Sequence, residues 1–227
     1  SFLALWTILV YIPVCHWVWG GGFLSKLGFV DFAGGTVIHT TAGFGCLAAV
    51  FFLGRRNQKN IAMKPNNLMA AAVGTGLLWF GWFGFNAGGA YQAGNLAAVA
   101  FANTFIALAS GMVTWTIYAR LVRAKFDFVD VMTGSVAGLA TITPIAGYIE
   151  PYKAVLVGIV AGIICNIALS FQEKKGWDDA LGVWGVHGIG GFTGTILIGL
   201  LADKEINGVS ASLQQLKIQV GGVIFVA

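Results

Sequence analysis

Charged side chains are scarce in this chain of 227 residues. Asp, Glu, Lys and Arg together make up 10% of the sequence, and hydrophobic residues make up 57%. A soluble domain carries about 25% charged residues. The composition therefore excludes an ordinary soluble domain. It also offers no soluble basic surface with interleaved aromatic residues, so nucleic acid is not expected as a partner.

Cysteine is rare as well. The three cysteines, Cys15, Cys46 and Cys165, lie in three different apolar stretches and form no C-x-x-C pattern. Cysteines of this kind usually act as small apolar packing residues. The sequence therefore predicts no disulfide, no metal site and no cofactor.

The scarcity of charge leaves long apolar runs. A helix needs about 20 apolar residues to cross a bilayer, and a spanning backbone must satisfy its own hydrogen bonds. Seven runs of 18 to 24 residues contain no charged side chain, and an eighth begins near the end of the sequence. The sequence therefore predicts one all-α domain over 1–227, a polytopic transmembrane helical bundle. Its expected spans are about 1–19, 32–53, 67–90, 96–119, 131–149, 154–171, 180–202 and 218–227.

Lys and Arg are divided unevenly between the connecting loops. One alternate set of loops carries nine of these cations and the other set carries four. Short loops rich in Lys and Arg remain in the cytoplasm. We therefore expect loops 54–66, 120–130 and 172–179 to be cytoplasmic and the region near Asp31 to face outside.

An internal repeat joins the second and seventh predicted spans. Residues 31–43 read DFAGGTVIHTTAG and residues 179–191 read DALGVWGVHGIGG. Each begins with Asp and has Gly three residues on, His eight residues on and Gly twelve residues on. Five crossings separate the two spans, so they run in opposite directions. This arrangement is typical of an inverted-topology repeat with a site near the membrane midplane.

The two repeat histidines, His39 and His187, are the sharpest functional signal. Eight residues of helix place each of them about 12 Å beyond its Asp, close to the middle of a core about 30 Å thick. A titratable group at that depth is by default a functional hypothesis. Two such rings could ligate haem, bind a metal or relay a proton. No third metal ligand stands at a suitable spacing, and neutral imidazoles suit an uncharged hydrogen-bonding solute or a proton.

The acidic residue that opens each repeat has a structural explanation. Asp31 and Asp179 each stand where a helix is expected to begin, so each is predicted to be an N-cap. For Asp31 the expected donors are the backbone N–H groups of Ala33 and Gly34. Such a cap fixes the start of the histidine-bearing helix.

Aromatic residues cluster at the expected outer ends of the first and third spans. Trp19 ends the first span, and the run GWFGFNAGG covers 81–89. Most Trp and Tyr residues of membrane proteins form interfacial belts. Beside glycines that allow close packing, however, these rings resemble a cation-accepting aromatic cage, in which each ring face contributes roughly 0.5–2 kcal/mol.

The segments HWVWGGG, DFAGGTVIHTTAG, WFGFNAG and DDALGVWGVHGIGG together resemble, in order and spacing, the hallmark motifs of the ammonium transporter family (Amt/Mep/Rh). The resemblance implies an eleven-helix fold of two inverted five-helix repeats. The chain would run from about the fourth helix to the start of the eleventh, as an internal fragment of a longer protein. It also implies a transporter rather than an enzyme, a homotrimer, and a plasma-membrane location.

The resemblance assigns roles to individual residues. His39 and His187 correspond to the twin pore histidines, and Phe85 corresponds to one of two stacked gate phenylalanines, with Trp82 as a structural neighbour. Trp19 corresponds to the tryptophan of the outer ammonium-recruitment site, where the family often has Ser in place of Gly89.

Asp31 is similar to the aspartate that orders the outer helix end, with Thr36 near it. A second departure is Gly182, where the family often has an additional Asp. The resemblance implies ammonium or ammonia as the transported species and a PII-type regulatory protein as a partner on the cytoplasmic face. The alternatives are an ammonium sensor, an Rh-like gas channel and, more remotely, a haem-binding membrane oxidoreductase that uses both histidines.

Overall fold

A computed structural model describes residues 2–56, 65–124 and 127–227. All the regular structure in these residues is helical. We number the helices α1 (2–19), α2 (Phe23–Lys26), α3 (Gly35–Leu53), α4 (Leu68–Gly88), α5 (Asn95–Arg123), α6 (Phe128–Ile142), α7 (Pro151–Lys175), α8 (Trp184–Leu201), α9 (Lys204–Asn207) and α10 (Leu213–Val226).

Within the described residues, six helical segments are long and apolar enough to cross a membrane. They correspond to α1 continued into α2, and to α3, α4, α5, α7 and α8. Two further apolar helices, α6 and α10, are 15 and 14 residues long. The chain is therefore a polytopic helical bundle.

Helix α6 is shorter than the span of 131–149 expected from the sequence. It ends at Ile142, and residues 143–149 form buried turns. Pro144 explains this end, because proline has no N–H to continue the helical hydrogen bonds. The chain therefore leaves the helix inside the bundle, where the carbonyl oxygen of Pro144 accepts a hydrogen bond from the backbone N–H of Phe32 at 3.0 Å.

Small residues let the central helices approach closely. A Cβ atom added to Gly138 of α6 would lie 2.2 Å from the carbonyl oxygen of Ala107 in α5. One added to Gly158 of α7 would lie 2.6 Å from the same oxygen. Helices α5, α6 and α7 thus pack backbone to backbone, as small residues allow in membrane bundles.

One ion pair joins two predicted cytoplasmic loops. The Arg56 guanidinium contacts the Asp178 carboxylate, with Nη2 to Oδ1 at 2.5 Å, and the Arg56 backbone N–H donates to Oδ2 at 2.8 Å. Of the nine cations assigned to that side, Lys59, Lys64 and Lys125 lie outside the described residues. The loop pairing brings the end of α3 next to the segment before α8.

The pKa of Asp178 is a testable consequence of this pairing. Side-chain and then backbone hydrogen bonds from Arg56 lower the pKa of Asp178 to about 2, below the ordinary value of about 3.9. A depressed folded-state pKa means that the pair stabilises the loops above about pH 4 and is lost as pH falls through about 2.

We expect carboxyl ¹³C NMR of Asp178 to titrate near pH 2. In Arg56→Gln the titration should return toward about 3.9. A titration near 4 in the unmodified protein contradicts the pairing.

Candidate functional site

The Asp31 carboxylate organises the start of α3. It is 4% exposed. Its Oδ1 accepts backbone N–H bonds from Gly34 and Gly35 at 2.9 and 2.8 Å, and its Oδ2 accepts from Thr36 and Val37 at 2.7 and 3.0 Å. A carboxylate has about four acceptor positions, so this one is fully engaged.

The sequence-based expectation for this cap was partly wrong. Gly34 is a donor to Asp31, as predicted, but Ala33 is not among the donors found for this carboxylate in the described residues. The reason is the backbone of Gly34, which has a φ of +113° and turns the chain before the helix begins at Gly35. A left-handed conformation of this kind favours glycine. The Asp31 carboxylate therefore accepts from N–H groups three to six residues on, rather than two and three residues on.

The second repeat is built in the same way. Asp179 Oδ2 accepts the backbone N–H of Trp184, five residues on, at 2.9 Å. Gly182, three residues after Asp179, has a φ of +62°. A Cβ atom there would lie 2.7 Å from Leu169 Cδ1. An Asp at this position would therefore have to displace Leu169 and adopt a left-handed backbone.

Both histidine-bearing helices begin with a π-helical turn. The turn in α3 covers Gly35–Thr40 and contains His39, and the turn in α8 covers Trp184–Gly188 and contains His187. In α3 the His39 N–H reaches the Gly34 carbonyl, five residues back, at 2.9 Å. Such wide turns are rare and are frequent at functional sites.

The two helices cross where glycines leave room. A Cβ atom on Gly43 of α3 would lie 2.2 Å from Gly188 Cα of α8. One on Gly191 of α8 would lie 2.2 Å from the Gly35 carbonyl oxygen and 2.8 Å from His39 Cβ. Gly35 of α3 thus meets Gly191 of α8, and the later residue Gly43 meets the earlier residue Gly188. The two helices are therefore antiparallel. Gly43 and Gly191, each twelve residues after the Asp of its repeat, therefore bring the two histidine segments together.

The structure places the two imidazoles in contact. His39 Nδ1 lies 3.3 Å from His187 Nδ1. The indole of Trp82 stacks along both rings, with centroids 5.1 Å from His39 and 6.0 Å from His187. His39 is 6% exposed and His187 is half-buried. The pair is thus held between two helices and one aromatic plane.

A third polar residue, Thr143, fixes the hydrogen-bond directions. Its hydroxyl donates to the Leu139 carbonyl at 2.7 Å, so it can only accept from Trp82 Nε1 at 3.0 Å and from His39 Nε2 at 3.3 Å. In the arrangement in which Thr143 donates to Leu139, His39 carries its proton on Nε2, and its Nδ1 is an acceptor. In the same arrangement His187 Nδ1 donates to His39, and no partner of His187 Nε2 is found among the residues that the structure describes.

A cavity of about 300 Å³ borders the His39 member of this pair. Phe85 lies on its wall with a ring centroid 6.1 Å from that of His39 and 6.0 Å from that of Trp82. Almost all of the lining is apolar, apart from the histidine itself. The lining residues are Ile38, His39, Leu77, Leu78, Gly81, Trp82 and Phe85.

The predicted recruitment residues meet at the segment that contains Asp31. Trp19 is 38% exposed, and its indole Nε1 donates to the Asp31 carbonyl at 2.8 Å. A Cβ atom on Gly89 would lie 2.9 Å from the Phe32 carbonyl oxygen and 3.0 Å from its ring. A serine at this position would therefore displace Phe32. The Trp19 ring face remains available, whereas its N–H is committed to the backbone.

Some residues of the site escaped the sequence analysis. Thr143 was counted only as part of an apolar run, and nothing in its local sequence marks it. Gln219 is fully buried in α10 and contacts the segment before Asp31. An amide inside an apolar run could have indicated this contact, because polar groups within the membrane need hydrogen-bond partners in the protein. Thr36, which the sequence analysis placed near Asp31, lies in the α3 turn, and its hydroxyl is 2.7 Å from that of Thr195 in α8.

An apolar helical bundle with two antiparallel helices meeting at a buried histidine pair defines a polytopic membrane protein with a polar site at its core. Comparisons with known proteins make this assignment more specific. The family model described as "Ammonium Transporter Family" matches residues 1–227. The chain therefore belongs to that family.

Individual relatives agree. The chain is 47% identical over 207 residues to a putative ammonium transporter of Methanothermobacter thermautotrophicus, which covers 91% of this chain and 50% of the relative. The crystal structure of Candida albicans Mep2 has a TM-score of 0.92 at 37% identity and covers 99% of this chain and 53% of that one. A structure titled "Sensor Amt Protein" has a TM-score of 0.88 at 35% identity, with coverages of 96% and 58%. The chain spans about half the length of the curated relatives it matches.

Proposed function

We propose that the protein containing this chain carries ammonium across the plasma membrane and conducts it as ammonia past His39 and His187. The observation that carries the proposal is the contact between the two imidazoles, of which His39 lines an apolar cavity. The family membership supports ammonium as the transported species. The protein is on this view a transporter and not an enzyme.

The mechanism follows from the cost of charge. A charged group at the bilayer centre costs at least about 2.5 kcal/mol, whereas ammonia is neutral. Ammonium therefore loses a proton on the outer side or within the apolar pore. The histidine pair then presents hydrogen-bonding edges to ammonia and takes up or passes the proton. Potassium has no proton to lose and is rejected.

The hydrogen-bond directions suggest where the proton is first held. His39 uses Nε2 on Thr143 and Nδ1 on its partner, so neither nitrogen has a free lone pair. His187 Nε2 is the open acceptor of the pair. An incoming proton would bond to His187 Nε2, the Nδ1 proton of His187 would pass to His39 Nδ1, and His39 would release its Nε2 proton. Both rings then have the other tautomer, and each must turn over before a second proton can follow in the same direction. The pair thereby acts as a relay separate from the path of ammonia.

Recruitment is proposed at Trp19, with Gly89 and Phe85 on the path to the pair. The Trp19 ring face supplies cation–π attraction. Asp31 has all its acceptor positions on backbone N–H groups, so its role is to hold the start of α3 rather than to bind the cation directly. Asp179 has the corresponding role at the start of α8, and Thr36 and Trp82 hold neighbouring groups in place.

The remaining proposals concern assembly and orientation. We expect a homotrimer in the lipid bilayer, with loops 54–66, 120–130 and 172–179 in the cytoplasm. Those loops are where a PII-type regulatory protein would dock.

The alternatives have different support. An ammonium sensor is the second candidate, because the chain is also similar to a structure titled "Sensor Amt Protein". An Rh-like gas channel is less favoured, because Trp19 offers a cation-binding ring.

Haem ligation is disfavoured by geometry. Two nitrogens on opposite sides of a metal lie about 4 Å apart, given metal–nitrogen bonds of about 2 Å. Here the two Nδ1 atoms are 3.3 Å apart and within hydrogen-bonding distance of each other, so these two nitrogens are not placed to bind one iron from opposite faces.

The proposal is tested with the full-length protein in liposomes on a solid-supported membrane. An ammonium jump should give a transient current, and an equal potassium jump should give none. No response to ammonium would exclude transport and leave the sensor. A Soret band in the absorption spectrum of the purified protein would instead establish haem binding.

Replacing Trp19 tests recruitment. We expect Trp19→Leu to raise the half-saturating ammonium concentration by roughly 2- to 30-fold, which corresponds to the loss of about 0.5–2 kcal/mol of cation–π attraction. The maximal current should change less. Trp19→Phe keeps a ring face but loses the N–H that holds Asp31, so it separates the two functions of the indole.

Trp17→Leu is the matched control for this experiment, since Trp17 packs on Phe23 and Phe225 rather than on the Asp31 segment. An unchanged half-saturation in Trp19→Leu contradicts the recruitment role.

A further inference from the structure

Gln219 is an amide buried in an apolar helix. Its side chain projects from α10 and is fully buried. Its Oε1 accepts the Val30 backbone N–H at 3.0 Å and the Gln215 Nε2 at 3.0 Å. Within a membrane such groups must be satisfied by the protein itself.

The amide nitrogen of Gln219 completes the set. It donates to the Val30 carbonyl at 2.8 Å and to the Thr195 carbonyl at 3.3 Å. A glutamine side chain offers two donor hydrogens and an oxygen with two lone pairs. All four are used, so this side chain is held in one orientation and in turn holds both the N–H and the carbonyl of Val30.

These bonds connect α10 to both histidine-bearing helices. Val30 immediately precedes Asp31, whose carboxylate caps α3. Thr195 lies in α8, eight residues after His187. Gln215 extends the attachment, because its Nε2 also donates to the Gly28 carbonyl at 3.0 Å.

A second link runs beside the first. The Thr195 hydroxyl donates to the Gly191 carbonyl at 2.9 Å, so it accepts from the Thr36 hydroxyl, 2.7 Å away. Thr36 belongs to the α3 π-helical turn, three residues before His39. Gln219 and the threonine pair therefore join the two helices beyond the histidine contact, on the side of Asp31.

We propose that Gln219 is a positioning residue for the histidine pair: through Val30 and Thr195 it fixes the separation of α3 and α8, and hence the contact between His39 and His187. The consequence for transport rests on the proposed function. Gln219 does not touch the cavity lining and acts only through the residues it holds. With the amide removed, Val30 loses both of its partners on α10, and the start of α3 is free to shift relative to α8.

The test uses the full-length protein with Gln219→Met, which keeps the length of the side chain and removes all four bonds. Gln214→Met is the matched control, because Gln214 is exposed on the same helix. Thr195→Val provides a milder variant that breaks only the hydroxyl link. Two readouts are needed: imidazole ¹⁵N NMR of the histidines, and the ratio of ammonium current to methylammonium current per folded molecule.

We expect Gln219→Met to move the Nδ1 signals of His39 and His187 and to change the current ratio at least threefold. Thr195→Val should move both readouts in the same direction by less, and Gln214→Met should move neither. If Gln219→Met does not fold, Gln219→Asn replaces it, because its amide is one methylene shorter and cannot bond to Val30 and Thr195 together. An unchanged ¹⁵N spectrum in that variant overturns the proposal. A folded Gln219→Met with a lower melting temperature but unchanged ¹⁵N signals and current ratio makes Gln219 a packing residue only. If the unmodified protein carries no ammonium current, transport fails, and the ¹⁵N signals still decide whether Gln219 positions the pair.

Discussion

Alanine in place of either His39 or His187 should lower the ammonium current of the full-length protein at least tenfold, or abolish its selectivity over potassium. Each ring supplies one half of the Nδ1–Nδ1 contact. Without it, the apolar cavity offers a dehydrated solute fewer hydrogen bonds and no proton path. The cost of a bare charge at this depth, at least about 2.5 kcal/mol, corresponds to well over tenfold in rate.

The measurement is the current after an ammonium jump on a solid-supported membrane, with potassium as the competing cation. His16→Ala is the matched control, because His16 lies exposed in α1. If the histidines act as a unit, the double variant should lose no more than the worse single variant. Selective current at the unmodified level in both single variants would mean that the pair is structural.

Gly191→Ala should destabilise the protein by about 1–3 kcal/mol or more, the usual range for overpacking a tight interior. The added Cβ would lie 2.2 Å from the Gly35 carbonyl oxygen and 2.8 Å from His39 Cβ. Both neighbours belong to α3 and neither is a flexible side-chain end. The helices must therefore move apart, so the histidine contact should be lost together with the stability.

The change is measured as the melting temperature of the detergent-solubilised full-length protein. Gly221→Ala in α10 is the control, because no atom of the described residues lies within 4 Å of its added Cβ. Alanine is also the better helix former, by about 1 kcal/mol. Equal melting temperatures for Gly191→Ala and the unmodified protein would show that α3 and α8 are not in backbone contact.

The helical class and the repeat could be predicted from sequence because both depend on simple patterns. Apolar runs of bilayer length have one hydrogen-bonded solution, the helix. The repeat pattern of Asp, Gly, His and Gly marked positions that all have a physical role: Asp31 and Asp179 cap, Gly34 and Gly182 turn left-handed, and the histidines meet. Gly43 and Gly191 provide the crossing.

Other features depend on contacts between distant segments. Thr143 reaches His39 over 104 residues, and Gln219 reaches Val30 over 189. A threonine or glutamine in an apolar run shows that a partner exists but not which one. The forward reach of the Asp31 cap depends on the backbone angle of Gly34. Helix ends such as Ile142 also shift with tertiary packing, although Pro144 was visible in the sequence.

Because of the π-helical turns at Gly35–Thr40 and Trp184–Gly188, the position of each histidine depends on the number of residues in its turn. Each turn holds one residue more than an α-helical turn. Deleting that residue would restore ordinary helix geometry and rotate the histidine by roughly 100° relative to its aspartate cap, given 3.6 residues per turn. A substitution changes one side chain, but a one-residue deletion here turns an imidazole away from its partner while the helix remains intact. These two short segments should therefore be intolerant of any change of length, including changes that leave their histidines and glycines in place.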